Sequence, residues 1–192
     1  MRYVFFAIIF FFCTTHAVTA DSDVEHARYS VVAASDNIEI RDYPAQIIAE
    51  TIVSGERAAA ISEGFRRLAG YIFGANQPNE KIAMTAPVGQ SPDGANWRVT
   101  FTMPMKYSLS ELPKPNNETV HLVQLAPKRM AVIRFSGLVD DHDLVTQQAK
   151  LTTYLQQHNL TSVSSPAYAF YDPPWTLPFN RRNEVLIEIA RK

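Results

Sequence analysis

Beyond its first twenty residues the sequence carries His26, His121, His142 and His158, the side chains best able to hold a metal or pass a proton. No two of them stand three or four residues apart, so no local metal pair exists. His26 falls in a polar stretch that reads as a tail. His142 and His158 fall near the two ends of a predicted helix, where a solvated histidine is ordinary. His121 shares a strand face with Val123 and Leu125, and its long-range pairing with a carboxylate stays open. There is no G-x-S-x-G, no H-E-x-x-H, no phosphate loop and no dinucleotide fingerprint. The residues show no recognisable catalytic machinery, and the chain is read as a binding protein rather than an enzyme.

Two apolar features point to a ligand instead. Ala60, Gly64, Arg67 and Tyr71, with Ala69 and Gly70 nearby, form a stripe rich in small residues on one helix. Small side chains let something flat approach a helix backbone, either a β-sheet or a planar ligand. The second feature is Phe170-Tyr171-Asp172-Pro173-Pro174-Trp175-Thr176-Leu177-Pro178-Phe179. Its prolines forbid a central strand. Yet half of its residues are Phe, Tyr, Trp or Leu, and apolar loops must cover something. It is either a core plug or a stiff aromatic lid on a ligand cleft. Arg181 and Arg182 follow at once. They could hold a carboxylate by paired hydrogen bonds, or line a solvated turn.

These residues need elements to position them. Ile38-Glu39-Ile40-Arg41-Asp42-Tyr43 alternates as a strand does. Residues 45–53 are a second β-rich run, and the two read as a candidate hairpin across Pro44. Ser54 is a good N-cap, and Glu56 suits the positive end of a helix dipole. Ala58, Ile61, Phe65, Leu68 and Ile72 then recur at steps of three and four, the stripe of a helix that Gly74, Asn76 and Pro78 stop. Residues 81–88 read as a short strand. Trp97, Val99, Phe101 and Met103 mark a half-buried strand, and residues 108–118 a long Pro/Asn-rich loop. The order then repeats. Residues 120–125 and 130–135 are strands around a turn at Pro127-Lys128. Asp140 or Asp141 caps a second helix carrying Leu144, Val145, Leu151 and Leu155, and residues 167–171 and 185–189 are strands. This predicts an α+β fold: a distorted antiparallel β-barrel of two pseudo-symmetric ββαββ halves with two flanking helices. Clefts are expected where the halves meet.

Arg2, the apolar run over residues 4–12 and the small-residue stretch ending Val18-Thr19-Ala20 read as a signal peptide over residues 1–20. The run is far shorter than the roughly 20 apolar residues of a membrane span, so no stable span is expected after cleavage. Residues 21–34 read as an N-terminal tail, and residues 35–192 as one domain with one sizeable core. Without the leader, 18 − 1 = 17 Lys and Arg face 19 Asp and Glu, a net charge of −2. That leaves no basic excess for phosphate backbones, so no nucleic-acid partner is expected. The one cysteine, Cys13, lies in the leader. Disulfides, thiolate zinc sites, thiol nucleophiles and covalent haem attachment are thereby excluded from the cleaved chain. An exported, cysteine-free chain suits an oxidising compartment, periplasmic or secreted.

Four blocks carry a resemblance. Ile38-Glu39-Ile40-Arg41-Asp42-Tyr43, Lys81-Ile82-Ala83-Met84-Thr85-Ala86-Pro87-Val88, Tyr171-Asp172-Pro173-Pro174-Trp175 and Arg181-Arg182-Asn183-Glu184-Val185 resemble, in that order, the SOUL/haem-binding family. The resemblance implies a barrel akin to the GyrI-like ligand-sensing fold. It also implies a non-covalent haem, porphyrin or other flat hydrophobic molecule in a cleft beside the first helix. The contact set expected on this reading is Phe65, Leu68, Ala69, Ile72, Met84, Trp175 and Arg181. Family members with a proposed histidine ligand place it just before the tyrosine of the first block. Here that position is Asp42, a poor match to the His, Met, Cys or Tyr that usually hold haem iron, so haem is expected to bind without a strong histidine ligand. The cations that flank haem in other members fall at Ser62 and Gly70. The alternative is a GyrI-like hydrolase or sensor for small hydrophobic molecules, with Glu39, Glu63 or Glu184 as the base. An interaction protein that binds a peptide or lipid is a third reading.

Overall fold

The computed structural model describes residues 24–191, so the expected signal peptide lies outside the described residues. Nine strands form one antiparallel sheet. They are β1 (Ser30–Ser35), β2 (Ile38–Tyr43), β3 (Gln46–Ser54), β4 (Val88–Asp93), β5 (Asn96–Thr102), β6 (His121–Leu125), β7 (Lys128–Phe135), β8 (Ala167–Phe170) and β9 (Asn183–Glu188). Helix α1 (Arg57–Ile72) follows β3, and helix α2 (Asp141–Gln157) follows β7. The spatial order is β6-β3-β5-β4-β8-β9-β7-β2-β1. The sheet curls into a half-barrel, and both helices pack on one of its faces. Short pairings add Glu25–His26 parallel to Thr85–Ala86, and Asn76–Gln77 against Lys114–Pro115.

The expected ββαββ repeat is present, but its first strands are exchanged. β2 pairs with β7 of the second half, and β6 pairs with β3 of the first. The hairpins read at Pro44 and at Pro127-Lys128 therefore do not form. Both links are two residues long, Pro44-Ala45 and Ala126-Pro127. A two-residue hairpin wants positive φ in its turn, and the locked φ of proline denies it. Where the turn chemistry is right, hairpins form: at Asp36, with φ 51°, between β1 and β2, and at Gly94, with φ 63°, between β4 and β5.

The tail expected over residues 21–34 is also corrected. β1 is the outermost strand beside β2, and a register shift between Val31 and Ala33 breaks its alternation. That bulge hides the strand from a period-two reading. Helix α1 differs from expectation in its start and its rotation. Its N-cap is Glu56 rather than Ser54, with no side-chain cap bond. Its buried residues are Ala60, Gly64, Leu68, Tyr71 and Ile72, whereas Ala58 faces out. The small residues of α1 thus meet the sheet. A side chain at Gly64 would overlap Val99 of β5, so only glycine lets the helix axis lie this close. Helix α2 begins at Asp140 in a full capping box with Asp143. It buries Leu144, Leu151 and Leu155, while Val145 is exposed. One core lies under α1, around Ala49, Leu68, Tyr71, Val99 and Phe101, and one under α2, around Ile40, Ile133, Leu151 and Val185. Each fully buried Leu or Ile contributes about 1.5–3 kcal/mol.

Candidate functional site: a pocket closed by an N-terminal strap

The contact set expected beside α1 divides on inspection. Leu68 and Ile72 are core residues, closed to any ligand without unpacking the helix. Ala69 is half-buried, and Met84 is a half-buried neighbour of the α1 core. Phe65 is 39% exposed and packs edge-on to Phe101, with ring centroids 5.4 Å apart. None of the three hollows described below is lined by Phe65, Leu68, Ala69 or Ile72.

The Arg181 and Arg182 pair is likewise spent on the fold. Arg181 donates from Nε to the carbonyl oxygen of Thr176 at 2.9 Å and also to that of Pro174, so it staples its own loop. Arg182 turns inward. Its Nε and Nη2 donate to Glu184 Oε1 at 2.9 and 2.7 Å, and its guanidinium lies 3.8 Å from the Tyr171 ring centroid. On the sheet face opposite the helices, Arg41 forms a bidentate pair with Glu184 at 2.9 and 3.0 Å. The two side chains are 1% and 0% exposed. Tyr171 donates its hydroxyl to Glu184 Oε2 at 2.9 Å. Burial pushes the Glu184 carboxyl up, but the hydrogen bond and charge of Arg41, with the charge of Arg182, more than offset this and hold it below its ordinary value. Burial pushes the Tyr171 phenol up and Tyr43 up to about 12.

The other acids considered as bases are occupied too. Glu39 accepts from Arg41 Nε at 2.6 Å, and Glu63 from Arg66 and Arg67. Asp42 is held by Arg129 at 2.8 and 2.7 Å, which keeps its carboxyl below the usual range, so both of its oxygens are taken. A carboxylate so paired is a poor match to the ligands that usually hold haem iron.

The loop over residues 171–180 is not a core plug. Trp175 is 82% exposed and Phe179 72%, and Leu177 faces out beside them. The loop is held at its start by the Tyr171 hydroxyl on Glu184 and by Asp172, which accepts from the Arg182 N–H at 2.6 Å, and further on through its backbone, by Arg181 and by the Gly137 N–H on the Pro178 carbonyl at 2.9 Å.

A pocket of about 470 Å³ does form, at the end of the sheet where β3 begins and β5 stops. Ile47, Met103, Met105, Tyr107 and Leu109 supply its apolar lining, and residues 25–28 border it as well. Ile47 and Tyr107 pack against the α1 core, to which Met103 belongs, so the pocket adjoins the first helix's half of the molecule. Its volume falls in the roughly 300–1,000 Å³ range of small-molecule sites. The wall at residues 25–28 is a strap. It is held by the parallel pairing of Glu25 with Thr85 and His26 with Ala86. The Ala27 N–H donates to Ala86 at 3.0 Å, and the Met105 N–H to Glu25 Oε1 at 2.9 Å. A larger hollow of about 630 Å³ along α2, between Ile38 and Lys150, is a shallow surface groove.

The sequence did not single out His26, Met103, Met105 and Tyr107 as a site. The only local signal was an apolar run, Met103-Pro104-Met105, continuing past the end of β5. The remaining histidines sit apart: His121 on an exposed edge strand, His142 exposed in the first turn of α2, and His158 packed on Tyr154 with centroids 4.1 Å apart.

Comparison with known proteins agrees with this architecture. The model of the family described as SOUL heme-binding protein matches residues 24–188. Heme-binding protein 1 of Xenopus tropicalis is 30% identical over 155 residues, covering 77% of this chain and 80% of the relative. Heme-binding protein 2 of Mus musculus is 30% identical over 156 residues, covering 77% and 75%. Among solved structures, the C-terminal domain of EcmrR superposes with a TM-score of 0.64 at 10% identity, covering 85% of this chain and 99% of that one. A hydrolase from Listeria innocua superposes at 0.58 and 8% identity, covering 83% and 94%. At such identities the structural likeness speaks for the fold alone, whereas the match along residues 24–188 reaches from the strap to the last strand: the chain belongs to the SOUL haem-binding family.

Proposed function

We propose that the protein binds haem, or a related flat tetrapyrrole, without a covalent bond, in the pocket behind the strap, as an exported carrier or buffer. The observation that carries the reading is the pocket's chemistry. A half-open space with more apolar than polar surface is lined by Ile47, Met103, Met105, Tyr107 and Leu109 among others, and Met and Tyr are among the residue types that hold haem iron in proteins. Haem would supply the metal and the planar apolar surface. The chain's own part is to bury that surface against Ile47, Met103 and Leu109 and to present a donor. A binding role is favoured over the hydrolase alternative because Glu39, Glu63 and Glu184 each already serve a guanidinium. Among the described residues no helix is long and apolar enough to cross a membrane. Export rests on the apolar run and Val18-Thr19-Ala20.

A haem titration followed in the Soret region tests the ligand. Saturable binding with a shifted band is expected, and an unchanged spectrum with turnover of hydrophobic esters would favour the hydrolase. Sequencing the N-terminus of protein recovered outside the cytoplasm tests export, with Asp21 expected first and Met1 overturning cleavage.

A further inference from the structure

We infer that the loop over residues 173–180 is a lipid-docking tip, by which the folded protein rests on a bilayer surface without crossing it. The inference is independent of whether the pocket takes haem.

The first observation is the composition of the exposed surface. From Pro173 to Asn180 no side chain is charged, and every residue except Thr176 is exposed. Trp175, Leu177 and Phe179 supply the apolar surface. Exposed Leu138 extends it, because its neighbour Gly137 donates its N–H to the Pro178 carbonyl at 2.9 Å. Contiguous exposed apolar side chains mark a contact surface, and Trp settles at the level of lipid headgroups.

The second observation is the loop's backbone, which decides between lipid and protein as the cover. A segment that enters an apolar medium must satisfy its polar groups internally, whereas a loop in water need not. Here the carbonyls of Pro173 and Leu177 accept from the N–H groups of Thr176 and Asn180 at 3.0 and 2.9 Å. The Pro178 carbonyl accepts from Gly137 and also from the Arg181 N–H at 3.1 Å. The Arg181 guanidinium takes the carbonyls of Pro174 and Thr176. Pro173, Pro174 and Pro178 have no N–H to satisfy. A protein partner would use such groups, since protein interfaces carry about one hydrogen bond per 100–200 Å². A bilayer has no use for them. The N–H groups of Trp175 and Leu177 make no such bond among the described residues, which sets the docking depth at the headgroup oxygens rather than the hydrocarbon core.

The third observation is that the tip is presented on a fixed stem. Tyr171 is held by its hydroxyl on Glu184, with the Arg182 guanidinium 3.8 Å from its ring centroid and the His26 ring edge-on at 5.6 Å. Asp172 accepts from the Arg182 N–H at 2.6 Å. Stem and prolines restrict the loop before contact, which lowers the ordering cost of docking. The contact is apolar rather than electrostatic. Asp140, Asp141 and Asp143 follow Leu138 closely, so no basic cluster recruits anionic lipid there.

The test uses protein beginning at Asp21, which keeps every described residue and omits the apolar run of the leader. Without haem, it is mixed with phosphatidylcholine vesicles, alone or with added phosphatidylglycerol, reading flotation and tryptophan emission. Circular dichroism confirms that each variant is folded. Wild type should float with the vesicles and shift its emission to the blue, with little response to phosphatidylglycerol or salt. Trp175→Ala and Phe179→Ala should each weaken partitioning by about tenfold. Val145→Ser, at an exposed apolar position on α2, should match wild type. Wild type that stays off the vesicles overturns the inference, as does flotation unaltered in both loop variants. Flotation that requires phosphatidylglycerol and fades with salt also overturns it, by moving the contact to a charged face. If wild type does not float but forms a dimer that Trp175→Ala dissociates, the tip is an interface between copies and the inference falls. The haem reading stands or falls separately, by the Soret titration.

Discussion

Residues 171–180 and residues 181–184 adjoin in sequence and behave oppositely in space. The first stretch exposes Trp175, Leu177 and Phe179 to solvent. The second ends in Glu184, a charge with no exposed surface, clasped by Arg41, Arg182 and Tyr171. The apolar side chains are outside and the ions inside, the reverse of the usual sorting. The buried ions are tolerable because each oxygen of Glu184 has charged or hydroxyl donors, and a paired, fully hydrogen-bonded charge escapes most of the desolvation penalty. The exposed aromatics have no such structural account. Where a fold buries ions and leaves a tryptophan outside, the ions belong to the architecture, and the aromatics are free for contact with something else.

The comparison breaks most visibly at Glu184. Glu184→Ala takes the shared counter-charge from two inward-facing guanidinium groups, leaving Arg41 only Glu39, and should cost about 3–5 kcal/mol of unfolding free energy, measured by denaturant titration. A loss under about 1 kcal/mol would mean that the cluster is wet and belongs to the surface. The same pair predicts an acid limit. The folded Glu184 carboxyl lies below its ordinary value of 4.5, so its contribution is fully present above that value. It is lost as pH falls through the lower folded value. Melting temperatures should therefore be flat from neutral pH down to about 5 and then drop in wild type, and Glu184→Gln should remove part of that drop.

A smaller effect is expected at the boundary of the two stretches. Tyr171→Phe deletes one hydrogen bond to a carboxylate that keeps its arginines, and should cost about 0.5–1.5 kcal/mol. A larger cost would show that the hydroxyl, not the guanidinium groups, organises the cluster. The smallest stability effect belongs to the loop. Trp175→Ala should change unfolding free energy by less than about 0.5 kcal/mol, as for surface positions, because the side chain is 82% exposed. The haem affinity of the same variant then sharpens the contrast. A loss of about 1–3 kcal/mol would make Trp175 a lid contact, and an unchanged affinity would assign it to another surface of the molecule.

Much of the fold was legible because period and turn chemistry are local. The alternation of Ile38 to Tyr43 and of Trp97 to Phe101, the two helices and the cap at Asp140 or Asp141 all came from spacing. The rotation of α1 was not legible, since Ala58, Ile61 and Phe65 read as core and only the approach of Val99 to Gly64 decides which face turns inward. Of the candidate site, the α1 residues and Arg181 were nameable, but their division into core, staple and open surface depends on neighbours far along the chain. His26 was readable only as a tail residue, because what places it is a pairing with Ala86, sixty residues away.

By itself, then, the sequence determined the element order, the α+β class, the family and the absence of cysteine chemistry after residue 13. Each of these is carried by local periodicity, by composition or by contiguous motifs. Tertiary structure alone decided that β2 and β6 change halves, that Glu184 closes on Arg41, 143 residues away, and that Asp42 is spent on Arg129. It also decided that a pocket opens at the strap. Strand exchange, ion pairing and cavity formation all depend on which distant segments meet, and a chain read in order carries no measure of that distance.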